Sequence, residues 1–192
     1  MRYVRALTTF LIAAAIAVSG CNAENDSPAT DKPTFNQADV TFARGMIPHH
    51  RQAIQMAKLA DGRTNDPRVD QLAQQIEAAQ GPEIETMQGW LQAWNKSSPT
   101  HMGGSGSMDH DKSMNGMSGM MQNSDMAQLR SAQGAAFDEV FLTMMIAHHK
   151  GAIAMASAEE QQGRNPQAIA MAKKIQKDQA AEIGKMTDLL GG

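Results

Sequence analysis

The sequence predicts an all-α protein made of two related helical hairpins, and three observations predict it. Aromatic residues make up only 4% of the chain while alanine, glutamine and methionine are abundant, a composition that favours helix over sheet. Residues 39–91 align with 138–190 at a constant offset of 99 without a gap, and 18 of the 53 positions are identical. Within both segments apolar residues recur three and four positions apart, the period of a half-buried helix.

The chain of 192 residues opens with a short basic head, Met1 to Arg5, then a small and apolar run from Ala6 to Gly20, then Cys21. That order reads as a secretory signal over residues 1–20. The apolar run of 15 residues is shorter than the roughly 20 that a spanning helix needs. Val18-Ser19-Gly20-Cys21 resembles a bacterial lipobox, in which Cys21 becomes the lipidated N-terminus; ordinary cleavage after Ala13–Ala17 or at Gly20 is the alternative. Residues 21–33 are polar and contain proline, the composition of a flexible tether. The expected location is therefore the cell envelope, on the periplasmic or extracytoplasmic face, with a lipid anchor to the membrane.

Cys21 is the sole cysteine, so the mature chain can form neither an internal disulfide nor a thiolate metal site. Residues 1–20 carry Arg2 and Arg5 and no acid; without them 20 acids face 15 bases, a net charge of −5. No basic patch argues for a nucleic-acid partner. No nucleophile–base pair or phosphate-binding loop is visible, so turnover chemistry is not expected.

The first hairpin is expected over 34–95. Thr34 followed by Gln37 reads as a capping box, and a helix from there runs to about Asp61 with Gly62 closing it. Asp66-Pro67 and Asn165-Pro166 each give an N-cap side chain followed by proline at the first helical position, where its missing N–H costs nothing. The second helix thus begins near Pro67 and the fourth near Pro166. Ser124 or Asp125 starts the third, which runs to Gly163, and the second hairpin covers 125–192. Pro48 and Gly81-Pro82 stand where the second copy has Ala147 and Ala180-Ala181. A kink is therefore not indispensable to the repeated motif. Residues 96–124 differ in kind: glycine- and serine-rich, almost without large hydrocarbon side chains, they read as a disordered crossover.

The repeated motif is GMIPHHRQAIQMA at 45–57 and MMIAHHKGAIAMA at 144–156. On a helix Met46 lies three and four positions from His49 and His50, and Met145 repeats this with His148 and His149. The stripe continues through Met56 and Met155 and begins at Asp39 and Asp138. In the second and fourth helices Ile76, Gln80, Glu83 and Met87 recur as Ile175, Gln179, Glu182 and Met186. Helical bundles build metal sites from such inward stripes, the di-iron version using Glu-x-x-His. Here methionine stands where that glutamate would be, and thioether with imidazole moves the preference from iron to copper, as Cu(I) or Cu(II), with silver as a mimic. Methionine at helical spacing ordinarily fills cores, and a single His-His pair would carry little weight. The duplication, with methionine at the same spacing both times, is what raises the pattern above filler. Glu83 and Glu182 are expected to orient imidazoles rather than ligate. Asp39 and Asp138 are candidates for the same role or for solvated helix-start positions. Which histidine of each pair points inward stays open.

The crossover adds an independent signal. Met102, Met108, Met114, Met117, Met120, Met121 and Met126 accompany His101 and His110 within 26 residues. A polar segment has no core for these methionines to fill, so the tract reads as a further set of copper ligands; a sink for oxidants is the lesser reading.

The paired M-I-x-H-H-x-x-A-I-x-M-A motifs, each followed by a helix carrying Ile-x-x-x-Gln-x-x-Glu-Ile-x-x-Met, resemble the family called domain of unknown function 305, or DUF305. Its members include CopM-type periplasmic copper-binding proteins. The resemblance covers about residues 36–190. It implies a ferritin-like four-helix bundle that binds Cu(I) and Cu(II) outside the cytoplasm and contributes to copper resistance. Carried over, it implies that Met46, His49, His50, Met56, Met145, His148, His149 and Met155 are metal-site residues. The expected function is thus copper sequestration in the envelope, by storage or by transfer to a partner. A cuprous oxidase and a metal-free helical interaction module are the rivals; the partners considered are a copper-transfer protein and, in a homo-oligomer, further copies of the chain.

Overall fold

A computed structural model describes residues 34–99 and 118–191. The signal segment, Cys21, the tether, and the linker residues His101, Met102, Met108, His110, Met114 and Met117 lie outside the described residues. Within them the chain is all-α, as its composition implies: α1 (Gln37–Ala57), α2 (Pro67–Ala93), a short α3 (Asn123–Ser131), α4 (Gly134–Gln162) and α5 (Pro166–Gly191). None of these helices is long and apolar enough to cross a membrane.

The two Pro-initiated helices start as expected. Asp66 accepts from Arg68 N at 2.8 Å to cap α2. Asn165 Oδ1 accepts from Gln167 N and Ala168 N at 3.0 and 2.9 Å to cap α5. The first helix is capped differently from expectation. Asn36, not Thr34, is the N-cap and accepts from Ala38 N and Asp39 N, while Asp39 accepts from Asn36 N. A short amide at the cap and an acid three positions on close the reciprocal box in register with the first turn of α1. Both Pro48 and Pro82 lie inside helices that continue through them.

α1 ends at Ala57 rather than near Asp61. The chain tightens there into Leu59 N→Met56 O and Ala60 N→Ala57 O bonds of 3.1 and 2.9 Å, which turn Ala60 into the core. The single third helix of the sequence reading is two helices, broken at Ala132 and Gln133, both extended. The turn after α1 takes up the freed groups: Gly134 N donates to Arg63 O at 2.7 Å, and Arg63 Nε to Arg130 O at 3.3 Å. The break lets α3 lay Met126 and Leu129 into the core beside Phe137.

Two hydrocarbon clusters fill the fold. One joins Ala53–Ala57 of α1 and Ala60 just beyond it, Val69–Ile76 of α2, α3, Phe137–Met145 of α4 and Met186 of α5. The other joins Val40–Ile47, Ile84–Trp94, Ala152–Ala156 and Ala168–Ile175. Each cluster pairs the front of one helix with the back of its neighbour, so α1 runs antiparallel to both α2 and α4. The hairpins join chiefly through α1 and α4. Burying each large side chain here, such as Phe137 or Phe141, contributes about 1.5–3 kcal/mol. Between the clusters, midway along every long helix, lies a polar layer.

Candidate metal centre

That layer holds the repeated motif. His49, His50 and His149 are fully buried and His148 is 1% exposed. Gln80, Glu83 and Gln179 are buried with them, and Glu182 is half-buried. The duplication explains the arrangement: His50 Nε2 lies 2.8 Å from Glu83 Oε2, and His149 Nε2 lies 2.7 Å from Glu182 Oε2. The other histidine of each pair faces its counterpart. The rings of His49 and His148 have centroids 3.8 Å apart, tilted by 39°.

The halves are not electrically equal. Lys174 Nζ lies 3.0 Å from Glu83 Oε1 and 2.8 Å from Asp178 Oδ2. The corresponding residue of the first copy is the neutral Gln75. Burial by itself would raise the pKa of Glu83, but the hydrogen bonds from His50 and Lys174 and the charge of Lys174 outweigh it and hold the carboxyl below its usual value. Burial, reinforced by the neighbouring imidazoles, pushes His49 down to about 3 and His148 well below its ordinary value. Both rings are therefore neutral at physiological pH, the form that offers a lone pair to a metal.

Five ring nitrogens in this layer are buried without a hydrogen-bond partner: Nδ1 of His49, His50 and His149, and both nitrogens of His148. His49 Nε2 meets the carbonyl of Ser118 at 3.2 Å. Among the described residues no three His, Cys, Asp or Glu side chains form a ready cation site, so a metal held here would need the softer donors. Met46, Met56 and Met145 are fully buried and Met155 is half-buried. Met46 and Met155 belong with Met87 to one cluster, and Met56 and Met145 with Met186 to the other. Thioethers thus border the histidine layer on both sides, and imidazole with thioether is a donor set that fits copper.

Asp39 takes no part in the layer. Its carboxylate caps α1 and reaches across to Arg164 N and Asn165 N at 3.1 and 2.8 Å, where it meets Glu159, itself 1% exposed. Asp138 has one buried oxygen without a partner. Of the linker methionines that are described, Met126 is a core residue of α3, while Met120 and Met121 are half-buried. Residues Ser118–Met121 belong to the tract read as disordered, yet they lie against α1 and α4. Gln52 grips Met121 by both backbone groups, at 2.8 and 2.7 Å. Sequence reasoning passed over Ser118, Gln52, Lys174 and Glu159. The one available signal was divergence within the repeat, where Gln52 aligns with Gly151 and Ala60 with Glu159.

The family model for DUF305, a domain of unknown function, matches residues 39–190. The chain belongs to the DUF305 family. A DUF305 protein of Streptomyces coelicolor, classed as secreted, is 30% identical with a TM-score of 0.71, over 80% of this chain and 92% of that one. CopM in its Cu(II)-bound form is 31% identical with a TM-score of 0.64, over 79% of this chain and 94% of that one. CopM has also been solved with Cu(I) and with silver. Among curated proteins, an uncharacterised protein of Acanthamoeba polyphaga mimivirus is 49% identical over 49 residues, 26% of this chain and 32% of the viral protein. This DUF305 chain therefore shares its fold, along most of its length, with a copper-binding protein.

Proposed function

We propose that this DUF305 protein binds copper, as Cu(I) and Cu(II), through the histidine layer and its bordering methionines, and limits free copper in the cell envelope. The observation that carries the reading is the set of buried imidazole nitrogens without partners. Leaving a buried polar group unsatisfied costs about 1–3 kcal/mol, and net stabilities are only about 5–15 kcal/mol. Five such nitrogens would consume most of that margin, and a cation that takes one lone pair from each of the four neutral rings offsets most of the cost. Likeness to CopM, solved with copper and silver, supports the choice of metal.

The role is sequestration by stoichiometric binding, with storage or handover to a partner following from it. The lipobox at Cys21 would anchor the protein at the membrane, and linker residues from His101 to Met121 would add weaker Cu(I) ligands. A copper titration of the mature protein tests the reading beside a variant with His49, His50, His148 and His149 all changed to alanine. Loss of the tight-binding class in the variant is expected; unchanged stoichiometry and affinity would refute it. Oxygen consumption above the copper-only background would instead favour a cuprous oxidase.

A further inference from the structure

The segment Ser118–Met121 lies across the junction of α1 and α4, over the facing rings of His49 and His148. Its seat is built from one position of the repeated motif. In the first copy that position is Gln52, whose side-chain amide bonds both the N–H and the carbonyl of Met121. In the second it is Gly151, and a Cβ there would fall 1.9 Å from the Ser118 carbonyl oxygen and 2.9 Å from Gly119 Cα. Gly119 completes the fit: its φ is +82°, and a Cβ would meet Ala147 O at 2.7 Å. Divergence of the duplicated motif at a single residue has thus made a holder on one helix and a clearance on the other.

The segment brings one polar atom to the histidines, the Ser118 carbonyl at 3.2 Å from His49 Nε2. A carbonyl can only accept, so the proton of this ring sits on Nε2 and the lone pair on Nδ1. Glu83 and Glu182 hold Nε2 of His50 and His149 in the same way. All three rings have Nδ1 buried and unpartnered. Neither nitrogen of His148 makes a hydrogen bond of ordinary geometry, so its tautomer is the least constrained of the four.

We propose that Ser118 is a positioning residue for the copper centre: its carbonyl fixes the His49 ring so that Nδ1 is the nitrogen that meets the metal. The proposal rests on the copper reading above. It gives His49, His50 and His149 one common ligating atom, set by two carboxylates and one backbone carbonyl. His148 is the member left free to adjust to the metal's geometry.

Ring-nitrogen NMR of histidine-labelled mature protein tests this, first metal-free and then with silver(I). In the metal-free protein His49, His50 and His149 are expected as Nε2–H tautomers, with silver shifting their Nδ1 signals. Gly151→Ala forces Ser118 away; Gln52→Ala releases Met121 and serves should the first variant fail to fold. In either variant the His49 tautomer should become mixed while His50 and His149 stay unchanged, and silver affinity should fall about tenfold or more. A His49 ring still protonated on Nε2 in both variants, or silver acting on its Nε2, overturns the role of Ser118. Absence of any silver shift in the wild-type protein would overturn the copper reading instead, and the metal-free tautomers tell the two failures apart.

Discussion

His49 and His148, 99 residues apart and equivalent in the duplicated motif, stand face to face with ring centroids 3.8 Å apart. The remaining histidine of each pair turns away to a glutamate of its own hairpin. One motif therefore makes two kinds of histidine: an outer one oriented by carboxylate, and a central one shared across the junction of the hairpins.

Metal binding should be visible as stability. A ligand that binds only the folded protein at a hundred times its Kd adds about 2.7 kcal/mol, which for a chain of this size raises Tm by about 5–10 °C. Copper or silver should produce that rise, and a chelator should return Tm to the metal-free value. His49→Ala/His148→Ala should lose most of the shift, and a full shift in that double variant would exclude the central pair as ligands.

Stability should also depend on pH in two opposed limbs. Burial, with the adjoining Asp39, raises Glu159 from 4.5 to about 8. The folded state then binds the extra proton, and its stability falls as pH rises from about 4.5 through 8. His49 is lowered from 6.5 to about 3, so its contribution falls as pH drops from about 6.5 through 3. His148 is lowered as well, so two imidazoles oppose one carboxyl and the metal-free protein should be most stable at about pH 6–7. Glu159→Gln, whose amide can donate to Asp39, should remove the alkaline limb alone and stabilise the protein by about 1–3 kcal/mol above pH 8. Denaturant midpoints across the pH range measure both limbs. An alkaline limb that persists in the variant would assign it to another group.

Lys174 should distinguish the halves only modestly. Its side chain is 58% exposed, and ion pairs so open to water contribute about 0–1 kcal/mol. Lys174→Gln should leave Tm within about 4 °C, as a change of this size implies, whereas Glu83→Gln should weaken copper binding about tenfold or more by releasing His50. Equal effects of the two substitutions on a copper titration would contradict this order.

Removing the crossover must respect what its end does. Deleting 101–126, the whole methionine tract, would also take the segment gripped by Gln52 and the buried Met126, and so disturb α3. Deleting 101–117 should lower the number of bound Cu(I) ions while circular dichroism and Tm stay near those of the full chain. Leu129→Ala, which empties a fully buried position on α3, should cost about 2–5 kcal/mol. A Tm unchanged by that substitution would show that α3 is not part of the cooperative fold.

The sequence by itself determined the helical class, the duplication, two helix starts and the histidine–glutamate pairs. These follow from local chemistry: proline after a capping side chain begins a helix wherever it stands, and spacings of three and four put residues on one face. It could not place the break at Ala132 and Gln133, because Arg63 of a distant turn accepts the hydrogen bond that replaces it. Nor could it show that Asp39 serves α5 and Glu159 rather than a histidine, since that contact spans 120 residues or more. The meeting of His49 with His148, and of Ser118 with both helices, was decided only by the packing of one hairpin on the other. A stripe of residues says which side of a helix will be buried; which stripe it will be buried against is a property of the assembled fold.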